Sequence, residues 1–293
     1  MKFGLILPTN LPQASAEGIR QAAVLGEELA YDTLWTTDHV MVHRGVQAPY
    51  HAIFEALSVL SWLAGTTSKV KLGVSVLVLA QRNPVVVAKE VATIDRLSGG
   101  RVILGVGTGW MEPEFEYLNA DFHKRGRILN ESILVLRQLW TEPEKAFRGS
   151  FFRFENQSFG PPPAQYGGPP ILVGGLAEAA LKRAAAYGDG WHASRISPEQ
   201  FKAGAETLAR FNAGRKLSLS LRMNVTTERG RQPDERGGRF VMGGSSADLL
   251  DDVQRYEEAG CSHMAVNFWE GDLPAYLEAV RRFAGEVMPK SPA

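Results

Sequence analysis

Three groups of residues in this 293-residue chain have types and spacing that suit chemistry. Asp38 and His39 stand side by side after the short apolar run 33–36. They set a carboxylate next to a ring that both gives and takes protons near neutral pH. Gly105, Gly107 and Gly109 alternate through the end of the apolar run 102–106, with Thr108 between them and Trp110 next. One glycine at a strand end commonly only relieves crowding, whereas three in alternation leave main chain bare for a flat ligand. Gly174 and Gly175 follow the apolar run 171–173, and Leu176 leads into a helical pattern. Backbone N–H groups at a helix N-terminus favour an anion, so this Gly-Gly turn suits a phosphate. The second and third groups together suit one ligand that has both a planar ring and a phosphate.

Other chemistries find no support. His39 and His43 lie four apart without the glutamate of an H-E-x-x-H site, so no metal is expected. No G-x-S-x-G elbow occurs, and Cys261, just before the last apolar strand, reads as a small buried hydrophobe. Lysine plus arginine equals aspartate plus glutamate at 32 each, which removes the argument for a nucleic-acid or anionic-membrane partner and leaves a small molecule. A single cysteine excludes an intramolecular disulfide, and residues 1–10 lack the charged and apolar regions of a signal peptide. No apolar run approaches the roughly 20 residues that span a bilayer. A cytoplasmic protein is expected.

The elements that must position these groups are clearest in 69–110. The run 70–79 is almost wholly apolar and β-branched, as in a strand covered on both faces. Asn83 and Pro84 then open a helix, Gly99 closes it, and 102–106 is a second buried strand. That is a βαβ unit. Further strands read at 2–7, 33–36, 171–173, 190–193, 217–226 and 264–268. Helices read from Ser15 and at 51–64, 127–140, 177–187, 197–212, 245–259 and 272–287. Residues 112–124 read as a loop. Aromatic–polar alternation at 147–159 suggests a hairpin inside an insertion at 141–170, and 228–244 reads as a mobile loop. Eight strands alternating with helices predict one closed (β/α)8 TIM barrel over 1–293, since repeated right-handed crossovers close that way. An open doubly wound sheet is the rival, but GVGTGW lacks the G-x-G-x-x-G spacing. In a barrel the functional groups belong at the C-terminal strand ends, where the glycine groups and Asp38-His39 all fall.

Several stretches resemble the luciferase-like oxidoreductases, a (β/α)8 family that uses FMN or its deaza-analogue, coenzyme F420. They are LWTTDHV at 34–40, KLGVSVLVLAQRNPVVVAKEVATIDRLSGGRVILGVGTGW at 71–110, the RGRILNESILVLRQLW helix, PPILVGG at 169–175 and GDGW at 188–191. TDHV, GVGTGW and the following EF look most like the F420 branch. The resemblance implies a hydride transfer between F420 and an alcohol, ketone or activated alkene. The alternatives are a two-component FMN monooxygenase and a barrel that binds flavin without turnover. It implies catalytic roles for His39 and Asp38 beside the ring, and a non-prolyl cis peptide at Ser75-Val76 against the ring's back. Gly107, Thr108 and Gly109 would contact the ring, and Gly174, Gly175 and Leu176 the phosphate. Trp110 and Trp191, with Trp35, Phe268 and Trp269, would wall an apolar pocket, and Arg195 would meet the acidic tail of F420. A homodimer is a further expectation. Sugar-phosphate dehydrogenases of the family carry a glutamate where Trp110 stands, so their substrate is not implied.

Overall fold

The computed structural model describes residues 1–10, 14–45, 52–212, 214–226, 232–234, 239–268 and 271–288. Its strands are β1 (Lys2–Ile6), β2 (Thr33–Thr36), β3 (Lys71–Val78), β4 (Val102–Gly107), β5 (Phe147–Arg148), β6 (Arg153–Phe154), β7 (Ile171–Gly174), β8 (Gly190–Ser194), β9 (Ser218–Thr226), β10 (Gln232–Asp234), β11 (Arg239–Gly243) and β12 (His263–Phe268). Its helices are α1 (Ala16–Glu28), α2 (Ala56–Thr66), α3 (Pro84–Leu97), α4 (Glu112–Tyr117), α5 (Arg125–Thr141), α6 (Glu178–Tyr187), α7 (Pro198–Phe211), α8 (Ser246–Glu258) and α9 (Leu273–Glu286).

Eight parallel strands close on themselves in the order β1, β2, β3, β4, β7, β8, β9, β12, and β12 returns to β1. This is the (β/α)8 barrel expected from the alternation of elements. Helix starts follow local chemistry. Asn83 accepts from the Val85 and Val86 N–H groups with Pro84 first in α3, and Ser197 with Gln200 and Ser245 with Asp248 make capping boxes at α7 and α8.

Apolar side chains divide into a large layer between strands and helices and a small cluster within the barrel, Ile6, Trp35, Leu172 and Ala265. Trp35 fills the interior because its neighbours have no side chain. A Cβ on Gly4 would come within 2.4 Å of Trp35 Nε1, and one on Gly73 within 2.4 Å of Trp35 Cζ3. Trp35 therefore packs the barrel core and walls no substrate pocket.

Three differences from the sequence reading have local causes. α2 begins at Ala56, well after residue 51, because Glu55 caps it by accepting from the Ser58 N–H. Residues 112–117, read as loop, form α4, whose short apolar face places Phe115 in the core. The loop expected at 228–244 lies partly outside the described residues; within it, β10 and β11 pair antiparallel, and β11 takes a parallel place beside the end of β9. The hairpin within 147–159 is present as β5 and β6. Among the described residues no helix is long and apolar enough to cross a membrane.

Candidate active site

A cavity of about 260 Å³ sits at the C-terminal strand ends, lined by Thr37, Asp38, His39, Ser75, Val76, Gly107, Thr108, Gly109, Trp110, Gly174 and Gly175 among others. The tertiary fold thus gathers most of the residues singled out from the sequence, though those named come from four different stretches of chain.

The floor is built by β3. Its register against β4 shifts between Val74 and Leu77, and the Ser75-Val76 peptide is cis, as the family resemblance implies. The Val76 side chain occupies space that side chains on neighbouring strands would claim. A Cβ on Gly107 would lie 2.8 Å from Val76 Cγ2, and one on Gly174 3.1 Å from Val76 Cγ1. These glycines make room for Val76 first, and through it shape the floor. Gly109, at φ +78°, has Val78 and Phe115 where a Cβ would go. Gly175, at φ +126°, has the Ala180 methyl 2.7 Å from its own would-be Cβ.

Asp38 and His39 follow β2 and are both buried. Asp38 Oδ2 accepts the Val78 N–H at 2.8 Å, and Oδ1 accepts from Arg82 Nη2 at 2.6 Å. Burial pushes its carboxyl up, while the Arg82 guanidinium and the Val78 N–H oppose that rise and hold it as an acceptor. With both oxygens committed, Asp38 ties the β2 loop to the end of β3. These hydrogen bonds make it a positioning group for the loop that carries His39.

His39 has a partner that the sequence reading missed. Its Nδ1 is 2.9 Å from Glu114 Oε2, and Glu114 Oε1 accepts the Val40 N–H at 2.6 Å and the Met41 N–H at 3.2 Å. Burial raises the Glu114 carboxyl, but the hydrogen bonds from His39, Val40 and Met41 outweigh it and leave the group below its ordinary value. An ionised carboxylate only accepts, so His39 carries its proton on Nδ1. The one sequence clue to Glu114 was the EF that follows GVGTGW; no spacing rule links it to His39, 75 residues away.

Trp110 stands at the rim, 58% exposed, with its ring edge-on to His39 at 5.8 Å. Trp191 does not line the cavity. It stacks on Phe201 of α7 at 5.1 Å, on the outer face of β8, and its Nε1 donates to the Gly175 carbonyl at 2.7 Å. Strand alternation decides this: His192, the next residue, is the one that points inward. Trp191 thus supports the Gly-Gly turn from behind. Phe268 likewise faces the helices, against Tyr276 and Phe283, and Trp269 lies outside the described residues. Leu176 is half exposed beyond the Gly-Gly turn and does not line the cavity.

Arg195, Arg222, Asn224 and Asn267 complete a wall the sequence reading left largely unnamed. Among the described residues the lining includes two arginines and two amides beside Asp38, a donor-rich set that suits a ligand with anionic and hydrogen-bond-accepting edges. The bare backbone of the glycines and this donor-rich wall fit a phosphorylated flavin or deazaflavin. Residues Ser75, Val76, Thr108 and Gly109 would hold the ring, and Gly174 with Gly175 the phosphate. Among the described residues no group of three acidic, histidine or cysteine side chains is arranged around a metal.

Comparison with known proteins agrees with this architecture. The chain is 27% identical over 318 residues to the F420-dependent glucose-6-phosphate dehydrogenase of Amycolatopsis mediterranei, covering 92% of each. It is 27% identical over 228 residues to the FMNH(2)-dependent dimethylsulfone monooxygenase of Pseudomonas fluorescens, covering 76% of this chain and 61% of that one. A solved F420-dependent secondary alcohol dehydrogenase, in complex with an F420-acetone adduct, shares the fold at a TM-score of 0.79 with 18% identity, over 98% of both chains. The model of the luciferase-like monooxygenase family matches residues 1–232, and the chain belongs to that family.

Proposed function

We propose that this luciferase-like oxidoreductase moves a hydride reversibly between coenzyme F420 and a small organic substrate, either an alcohol and its ketone or an activated alkene. The observation that carries the reading is His39 on the cavity wall with Glu114 buried behind it and hydrogen-bonded to its Nδ1. Oxidation of an alcohol releases a hydride from carbon and a proton from oxygen, and this pair is built to take the proton. A relative named as F420-dependent, which aligns with this chain over 92% of both, supports the choice of cofactor.

When bound, the deazaflavin supplies the carbon that accepts or returns the hydride. The chain's residues do the rest. Glu114 accepts a hydrogen bond from His39 Nδ1–H and steadies the imidazolium that forms when Nε2 takes the substrate's hydroxyl proton; the reverse reaction returns that proton. Asp38, through Arg82 and Val78, holds the loop on which His39 sits. Val76 offers an apolar surface to the ring, the Gly174-Gly175 turn and the two arginines meet the anionic part, and Trp110 shields the cavity mouth from water. Because Trp110 is a large apolar group at the rim, the pocket suits a substrate of low charge there.

A second reading, reduced-FMN monooxygenation, is favoured by the dimethylsulfone monooxygenase relative at the same 27% identity. Absorbance and fluorescence titration of the apoprotein with F420, and with oxidised and reduced FMN, separates the two. Tight F420 binding with weak FMN binding supports hydride transfer. Preference for reduced FMN overturns it and makes oxygen consumption the assay to run.

A further inference from the structure

A polar line crosses the barrel core beneath the cavity, and the reading above leaves it without a role. Ser75 Oγ lies 2.8 Å from His192 Nε2, and His192 Nδ1 lies 2.5 Å from Ser220 Oγ. All three residues are buried. Ser75 and His192 line the upper cavity, whereas Ser220 lines a second cavity of about 840 Å³ at the N-terminal strand ends. Exposed Lys2, Ser218 and Ser262 rim that lower space. Trp35 Nε1 and both ring nitrogens of His263 border it without hydrogen-bond partners, although His263 Nε2 lies 3.6 Å from the Asp32 carboxylate. A space of this size, open to the surface and edged by the polar groups of Lys2, Asp32, Ser218, Ser220 and Ser262, admits water.

The hydrogen-bond roles along the line share one direction. Burial first, then the nearby charges of His263 and Arg222, push His192 down to about 3, so its ring is neutral with one N–H. Ser220 Oγ donates to the Trp191 carbonyl at 3.4 Å and accepts from His192 Nδ1–H. Nε2 then accepts from the Ser75 hydroxyl. The ring is clamped for this: Trp35 stacks on it at 5.3 Å, and Arg222 Nη1 donates to the Ser75 carbonyl at 2.5 Å.

We propose that Ser75, His192 and Ser220 form a proton relay through the barrel core, joining the active-site cavity to water at the opposite mouth. In one passage a donor in the cavity protonates Ser75 Oγ while Ser75 gives its own proton to His192 Nε2. The Nδ1 proton passes to Ser220 Oγ, and Ser220 gives its proton to water in the lower cavity. One bond to hydrogen forms for each that breaks, no electrons are transferred, and the reverse passage restores the tautomer. A buried histidine merely satisfied by two serines would show the same distances but would not exchange its proton through Ser220. Use of the relay in turnover, to release a proton outward in alcohol oxidation and to bring one back, with the starting tautomer, in ketone reduction, rests on the proposed function; its existence does not.

The test follows the His192 side-chain nitrogens by NMR in the 15N-labelled apoprotein. A neutral ring protonated at Nδ1 is expected, whose N–H exchanges with solvent at least tenfold more slowly in Ser220→Ala and within about threefold of wild type in Ser220→Thr. A cationic ring, or exchange in Ser220→Ala that is equal to or faster than wild type, overturns the relay. If Ser220→Ala fails to fold, the wild type decides: filling the upper cavity with F420 should leave Nδ1–H exchange unchanged, and a tenfold slowing would mean that the proton leaves by the upper mouth. Failure to bind F420 would count against the proposed function while leaving the apoprotein comparison intact.

Discussion

Glu114 sets the chemistry of His39, and the pair makes the sharpest residue-level predictions. In Glu114→Gln the shape is kept but an amide N–H₂ can face Nδ1, which reverses the tautomer and removes the charge that steadies the imidazolium. Oxidation of an alcohol substrate should slow about 100-fold, in line with the share general base catalysis commonly supplies. The F420 dissociation constant should stay within about twofold; equal losses in rate and binding would make the pair a scaffold only. Stability carries a second signature. The folded-state pKa of Glu114 lies below its unfolded value of about 4.3, so its contribution is present above that value and is lost as pH falls through the folded pKa. Urea denaturation should therefore find wild type more stable than Glu114→Gln at pH 7, with the gap closing as pH falls below the ordinary carboxylate range. A gap of constant size would show that the carboxylate's charge does not hold the loop.

At the level of elements, the β7–α6 turn and the irregular strand β3 are the parts shaped for a ligand. Gly175 has a positive φ, and the Ala180 methyl of the following helix stands where its side chain would be. Gly175→Val must displace the start of α6, and F420 binding should weaken by at least 100-fold while the barrel still folds. An unchanged dissociation constant would remove the turn from the binding site. Most elements were legible in the sequence because their signals are local: the apolar run of β3, the Asn83-Pro84 start of α3 and the Gly-Gly after β7 all lie within a few residues. The α4 helix was not legible, since its 6 residues hold one core side chain and no side-chain cap. The outward facing of Trp191 is not legible, because a strand of 5 residues starting with glycine carries no alternation clear enough to choose a side.

Across the whole molecule, barrel closure depends on filling the interior with one large ring. Trp35 reaches across from β2 to Gly4 of β1 and Gly73 of β3, which have no side chain to fill the space it would leave. Trp35→Ala should cost about 3–5 kcal/mol by chemical denaturation. A loss below about 1 kcal/mol would mean that the interior collapses freely. Family resemblance also proposes a homodimer, so light scattering should give about twice the 32.1 kDa of one chain. A mass of one chain would reject it.

What the sequence determined by itself was the run of alternating strands and helices, and with it a barrel whose chemistry lies at one end of the strands. Hydrophobic period, caps and glycine placement are properties of neighbouring residues, so they can be read along the chain. Only the tertiary structure decided which polar groups meet. Glu114 reaches His39 across 75 positions, Val76 explains glycines on two other strands, and His192 joins serines from β3 and β9. Those pairings are set by strand register and inward or outward facing around a closed sheet, which no local pattern encodes.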